Sequence, residues 1–409
     1  MLKSELLNKK IKKRNINYVY LFLKTQNIHL IKESGMIPYY FNKIFNFNST
    51  ILTYKNGEYP FLEKYCPGLK LKFIKKSKYN KICERNVLKY MFINAKRIDI
   101  LNLIHPHDDN FLFGFFYKLL NKKGFLYLKM DIHELFKNRD FYHRYRINPK
   151  FHGLLKILYF YLRRKIIELF FKKVDLISAE SKDLVSFLKR KYPLLREKII
   201  YIPNGIADNF LECNGIQKIP LHERENIILN VSRIGAPYKA SEILMEAIGQ
   251  LKDLKDWRVN YVGPIERSFY KIREEFFRKH PELKDKITFI GEIRERKELN
   301  EIYQKAKIFC LTSVLGSFEF TLVEALSNGN YIVSSDLPSA KDITNNGTIG
   351  VLYERGDPDD LSKRLQQIID DDRFLEDLYP QILEFAEKIF FWSSIIQKLY
   401  GEILKRMKN

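Results

Sequence analysis

Residues 229–248 read LNVSRIGAPYKASEILMEAI: an apolar run, a loop bearing Gly235 and Pro237, then residues with helical spacing. The apolar run extends back to Asn226, so a strand is expected at 226–234 and a helix at 241–252. A strand feeding a helix through a short loop is the unit of a parallel sheet. Ser232, Arg233 and Lys239 fall just past the strand's carboxyl end, where such a sheet presents its ligands. Two cations there suit a diphosphate, with the following helix adding its positive amino end. In isolation both would more often be ordinary surface charges.

The same alternation continues in both directions. Downstream, short apolar runs ending in polar or glycine residues lie at 258–264, 287–293, 308–313, 330–336 and 350–354. Upstream, strands are expected at 18–25, 49–54, 69–74, 98–105, 125–132 and 174–180, with helices at 111–120 and 154–172. A loop carrying Gly35 is expected after the first strand, and a helix beginning at Pro38, a favoured first-turn residue. YIPNG at 201–205 reads as a turn closing this half. The fold class is therefore α/β, with two doubly wound domains in succession and a cleft between them.

One carboxylate stands out. In LGSFEFTLVEALSNG (315–329) the residues around Glu324 form an apolar helix that Asn328-Gly329 stops. A carboxylate there is costly unless something pairs with it. Either a neighbouring side chain or a ligand must do so. If the loops converge as a doubly wound sheet requires, Glu324 faces the same edge as Arg233 and Lys239. A carboxylate accepts from two adjacent hydroxyls, so it suits a ribose, and the set describes a nucleotide-diphosphate site.

Charge divides the chain. Of 409 residues with formal net charge +22, residues 1–210 hold 42 Lys+Arg against 17 Asp+Glu, and residues 211–409 hold 29 against 32. Codon bias alone would spread evenly, so the +25 of the first half points to a polyanion or an anionic membrane surface. Cys66, Cys83, Cys213 and Cys310 form no metal-binding spacing and read as reduced thiols. The opening residues lack the apolar core of a signal peptide. Charges interrupt LLKILYFYLRRKIIELFFKK (154–173) too often for a spanning helix. It reads as a basic amphipathic helix, covering the domain or lying on a membrane. These features give a cytoplasmic chain, with peripheral attachment at the inner membrane face a further expectation. No nucleic-acid-binding motif is present.

The second half resembles the donor-binding domain of the retaining GT-B glycosyltransferases of family 4, the group 1 enzymes. The matches run in order: YIPNGIADNF (201–210), LNVSRIGAPYKASEILMEAI (229–248), NYVGP (260–264), ITFIGEI (287–293), IYQKAKIFCLTS (302–313), GSFEFTLVEALSNGNYIVSSD (316–336), GVLYERGDPDDL (350–361) and FFWSSIIQKLYGEIL (390–404). The resemblance implies a hexose transferred with retention from a nucleotide-diphosphate sugar to a glycan or lipid-linked glycan. It implies no metal and no other cofactor. Arg233 and Lys239 would hold the diphosphate, Glu324 the ribose, and Ile293 would flank the base. Gly35, Ser232, Gly263, Gly316, Phe320, Thr321 and Leu322 would complete the donor site. Asp131 matches the slot where the family often has histidine, with His133 two residues on; His105 and His107 read more simply as loop residues.

Two positions depart from the family. Gly316 stands where a glutamate usually faces the donor sugar, and Glu319 where glycine is usual. Ala240 replaces a glycine after the lysine, a milder change. The resemblance also implies the boundaries: an acceptor domain at 1–210, a donor domain at 211–385, and a final helix at 386–409 crossing back to the first domain. Trp392 and Tyr400 would then be packing residues. Surface polysaccharide assembly, as of lipopolysaccharide or capsule, would be the setting. Other readings stay open: a catalytically weak homologue acting as a scaffold, another GT-B enzyme such as an epimerase, and a nucleic-acid-binding protein.

Overall fold

The computed structural model describes residues 15–76, 84–105, 108–130, 154–208 and 213–407. The chain forms two units, Met1–Ala207 with Trp392–Asn409, and Asp208–Phe391.

In the first unit the order is β1 (Asn17–Leu21), α1 (Glu33–Phe45), β2 (Asn48–Thr53), α2 (Pro60–Tyr65), β3 (Lys70–Phe73), α3 (Arg85–Asn94), β4 (Ile100–Ile104), α4 (Asp108–Leu120), β5 (Phe125–Met130), α5 (Leu154–Lys173), β6 (Leu176–Ala179), α6 (Lys182–Lys191) and β7 (Ile199–Tyr201). All seven strands are parallel, in the order β3-β2-β1-β4-β5-β6-β7. Every residue of β4 and β5 is buried, as strands covered on both faces must be.

The second unit repeats the scheme: β8 (Glu225–Val231), α7 (Glu242–Gly249), β9 (Arg258–Val262), α8 (Arg267–Lys279), β10 (Ile287–Gly291), α9 (Arg296–Lys305), β11 (Ala306–Leu311), α10 (Phe320–Ser327), β12 (Tyr331–Ser335), α11 (Pro338–Ile343), β13 (Gly350–Tyr353), α12 (Pro358–Asp370) and α13 (Phe374–Phe390). Its six parallel strands run β10-β9-β8-β11-β12-β13. Each sheet thus reverses its winding once, at β1/β4 and at β8/β11.

A last helix, α14 (Trp392–Met407), packs on α1 of the first unit. Its Tyr400 ring lies 3.9 Å from that of Phe45, centroid to centroid. The Trp392 side chain is fully buried, and its backbone N–H donates to the Ile206 carbonyl at 3.1 Å. The hand-over between units falls at Phe391/Trp392, six residues beyond the boundary expected from sequence.

Two local expectations are corrected. Gly35 lies inside a helix, not a loop, and Pro38 sits in that helix's second turn. The physical cause is a close approach: a Cβ on Gly35 would come 2.1 Å from the Leu30 carbonyl oxygen. The helix can therefore begin early, and Pro38 removes only one hydrogen bond near its amino end. The second correction is β7, a short edge strand that the turn residues of YIPNG concealed. Asp131, His133 and His107 lie outside the described residues. Among the described residues no helix is long and apolar enough to cross a membrane.

Candidate functional site

The reversal at β8/β11 sends the flanking loops to opposite sides and leaves a crevice at the carboxyl ends of those strands. Asn230 on β8 braces it from below. Its buried amide donates to the Cys310 carbonyl of β11 at 2.8 Å and accepts from Ser232 Oγ at 2.8 Å. The Ser232 hydroxyl also lies 3.3 Å from Ser241 Oγ at the start of α7. Gly263, at the end of β9, has φ 136°, and a Cβ there would lie 1.9 Å from the Ser232 carbonyl oxygen. Glycine is thus required for the two strand ends to run this close.

The loop after β8 is tied to the loop after β11. Thr312 Oγ1 donates to the Lys239 carbonyl at 2.9 Å, and the Val314 N–H donates to the Tyr238 carbonyl at 3.0 Å. Lys239 is thereby held over α10, and its ammonium group donates to Glu319 Oε2 at 2.6 Å. Both side chains are largely buried. The other Glu319 oxygen lies 2.2 Å from where a Cβ on Gly316 would be. The two unusual residues are therefore one feature: Glu319 fills the space that Gly316 leaves empty.

Helix α10 begins beside this pair. Glu319 is its N-cap residue but makes no side-chain cap, so the positive helix end is not neutralised by a capping hydrogen bond. Leu322 is buried, and Phe320 and Thr321 are half-buried in the first turn. The Thr321 hydroxyl is buried with no hydrogen-bond partner among the described residues.

Glu324 lies one turn further on and is half-buried. It pairs with Arg296, the first residue of α9, and accepts from Tyr303 OH at 3.1 Å. Burial and the Glu324 charge push the Tyr303 phenol well above its ordinary pKa, so it stays a donor. Side chains thus satisfy the carboxylate. Sequence reading missed both partners. Their seven-residue spacing, two helical turns, was the available signal that they share a face.

Arg233 points outward and pairs with Glu266, just before α8. An exposed pair of this kind contributes little, so an anion can replace the carboxylate readily. Ile293 is half-exposed in the loop between β10 and α9. Gly35 belongs to the first unit, where it packs on Leu30. His105 ends β4 at φ 61°, its N–H donating to the Lys129 carbonyl at 3.0 Å. Among the described residues no group of His, Cys, Asp and Glu could hold a metal ion.

The model of the family described as "Glycosyl transferases group 1" matches residues 214–384. Residues 214–384 form a group 1 glycosyl transferase domain. An alpha-1,4-N-acetyl-D-galactosaminyltransferase of Campylobacter jejuni, named for a diNAcBac-PP-undecaprenol glycan, is 30% identical over 188 residues. The match covers 46% of this chain and 50% of that one. The chain spans about half the length of the curated relatives it matches. Over the whole chain the fold is that of GT-B glycosyltransferases. Anabaena Alr3699/HepE in complex with UDP superimposes with TM-score 0.65 at 15% identity, covering 95% of this chain and all of that one. The lipopolysaccharide outer core galactosyltransferase WaaB, in its apo form, gives 0.66 at 14%, covering 96% and all of that chain.

Within the group 1 domain, Ala240 has φ 46°, a left-handed conformation that a Cβ disfavours. Ala240→Gly is expected to stabilise the protein by about 1 kcal/mol, read as a higher denaturant midpoint at unchanged slope. A lower midpoint would mean that the Ala240 methyl, which is buried, contributes more by packing than its conformation costs.

Proposed function

We propose that the chain is a retaining hexosyltransferase. It moves the sugar of a nucleoside-diphosphate donor to a glycan or lipid-linked glycan in bacterial surface polysaccharide assembly. The observation that carries this is the placement of Arg233 and Lys239 on the loop after β8, and of Glu324 in the first half of α10, at one sheet edge by the winding reversal of a group 1 domain. Arg233 and Lys239 meet the diphosphate, Glu324 the ribose hydroxyls, and Ile293 the base. Ser232, Gly263, Phe320, Thr321 and Leu322 shape the bed, with the Thr321 hydroxyl free to bond a phosphate oxygen. The Campylobacter relative's undecaprenol-linked glycan and WaaB's lipopolysaccharide support the acceptor class.

As the glycosidic bond breaks, negative charge grows on the leaving diphosphate, and fixed cations stabilise it there. These two cations take the place of a metal in our reading. The diphosphate competes with Glu319 for Lys239. Once released, Glu319 turns to the donor hydroxyls, doing from position 319 what a carboxylate at 316 would do. In the first unit, Asp131 is assigned to the reacting sugar and Gly35 to the donor side.

Thermal denaturation with a panel of nucleotides and nucleotide-sugars tests the donor site. One nucleoside diphosphate should raise the Tm, and Glu324→Ala should abolish the shift. If no nucleotide binds, the reading falls. A second reading is favoured by the Lys239–Glu319 pair, which could hold the site closed in a scaffold that binds nucleotide without turnover. Glu319→Gly separates the two. Turnover should fall at least tenfold and return in part when Gly316→Glu is added; a scaffold shows no turnover in any of the three proteins.

We also place the enzyme on the cytoplasmic membrane face. Helix α3 packs on α4 and α4 on α5. Phe92, Leu119, Tyr161 and Leu162 are exposed on these helices, which also carry or are followed by the exposed Lys96, Arg97, Arg164, Lys172 and Lys173. Helices exposing both apolar side chains and cations suit an anionic bilayer. The protein should sediment with anionic vesicles and not with neutral ones, less so as salt rises. Equal sedimentation with both would rule this out.

A further inference from the structure

Two donors hold the Glu324 carboxylate, and both come from α9. Arg296, Asn300 and Tyr303 follow one another at four and three residues, so they share one face of that helix. Glu324 in α10 and Asn328, the residue that caps its end, meet this face. Helical side chains lean toward their helix's amino end, so the long Tyr303 side chain reaches back to the carboxylate that Arg296 also meets. The result is a short polar ladder between the two helices.

Most of the ladder is fixed. Asn300 and Asn328 are buried, and Asn328 Nδ2 donates to Asn300 Oδ1 and to the Glu324 carbonyl, both at 2.9 Å. The Asn328 carbonyl accepts from the buried Arg224 guanidinium at 2.7 Å, and the Tyr303 carbonyl accepts from the Asn330 amide at 2.7 Å. These bonds lock α9 onto α10. Tyr303 is itself buried, so its hydroxyl stays a donor to Glu324 whatever happens at the surface.

Arg296 is the movable member. Its side chain is 27% exposed and stands at the first position of α9. A cation there lies in the positive field of the helix's amino end, so its own helix disfavours it and Glu324 compensates. The guanidinium leaves the carboxylate by side-chain rotation alone, with both helices in place.

This exchange sets a condition on the group that replaces it. A carboxylate that gives up a guanidinium loses a charged donor. One hydroxyl returns a single donor and no charge. Two adjacent hydroxyls return a donor to each oxygen, because Oε2 has lone-pair capacity beyond the bond from Tyr303.

We propose that Arg296 is a specificity-determining residue of the donor site: it closes Glu324 to ligands with one hydroxyl and yields to a vicinal diol. It thereby selects ribose over 2′-deoxyribose. The proposal rests on the reading of Glu324 as the ribose partner given above; the selectivity rests on the ladder.

Titration calorimetry with UDP and GDP, each beside its 2′-deoxy form, tests it on the wild type, Arg296→Ala and Arg296→Lys, well below the Tm of each protein. In the wild type the ribonucleotide should bind at least tenfold tighter than its 2′-deoxy form. Arg296→Ala should bind the ribonucleotide at least as tightly as the wild type does. It should bind the 2′-deoxy form at least fivefold more tightly, so the ratio falls. Arg296→Lys, which keeps a cation beside Glu324, should hold the ratio nearer the wild-type value. A merely structural Arg296 would move both ligands together. Weaker ribonucleotide binding in Arg296→Ala, or an unchanged ratio, overturns the proposal. Glu324→Ala tells this failure from failure of the donor reading. If it abolishes binding while Arg296→Ala leaves the ratio unchanged, the donor site stands and the selectivity falls. If no ribonucleotide binds the wild type or Arg296→Ala, both fall.

Discussion

The Asn230 side chain holds the point from which the second sheet winds in two directions. Its amide bridges β8 to the Cys310 carbonyl of β11 and steadies Ser232 at the mouth of the crevice. A buried amide left unpaired would cost on the order of 1–3 kcal/mol, so the register of these two strands is hard to shift. The first sheet has a counterpart. There Asn102 on β4 accepts from Tyr18 OH of β1 at 2.6 Å and donates to the Leu103 carbonyl at 2.9 Å. Both winding reversals are thus marked by a buried asparagine, and both crevices inherit their position from it.

What lies above Asn230 is a set of charges satisfied by each other. Lys239 pairs with Glu319, Arg233 with Glu266, and Glu324 with Arg296 and Tyr303. The pairings of Lys239 and Glu324 keep charged groups from standing unpaired in partly buried places, whereas the Arg233–Glu266 pair is exposed. In the donor-site reading proposed above, each also leaves a group that a diphosphate or a diol takes over by exchange. The exchange is least costly at exposed Arg233 and most demanding at Lys239, where the partner carboxylate is buried against Gly316.

The first unit answers a different problem. Its excess of positive charge is spread over helices and loops, yet part of it converges on the ends of β1, β2 and β3. A diffuse positive field of this kind steers anions toward a surface.

Much of the architecture was legible because it is local. Apolar runs of four to eight residues, ending in glycine or polar residues and alternating with helical spacing, mark strands such as 258–264 and 287–293 to within a few residues. Ser232, Arg233, Lys239 and Glu324 could be placed because a parallel sheet puts every strand's carboxyl end on one edge. Where close approach overrode local preference, the sequence misled: Gly35 reads as a loop residue until the Leu30 backbone is seen against it. The partners of Lys239 and Glu324 were equally hidden. Glu319 lies 80 residues from Lys239 and Arg296 lies 28 from Glu324, and no periodicity spans such gaps. By itself the sequence determined the element types, the parallel winding and the charged groups at the sheet edge, since these follow from short-range pattern and chain connectivity. Only the tertiary structure decided which opposite charges meet, because that depends on strand order and on the space a missing side chain at Gly316 leaves open.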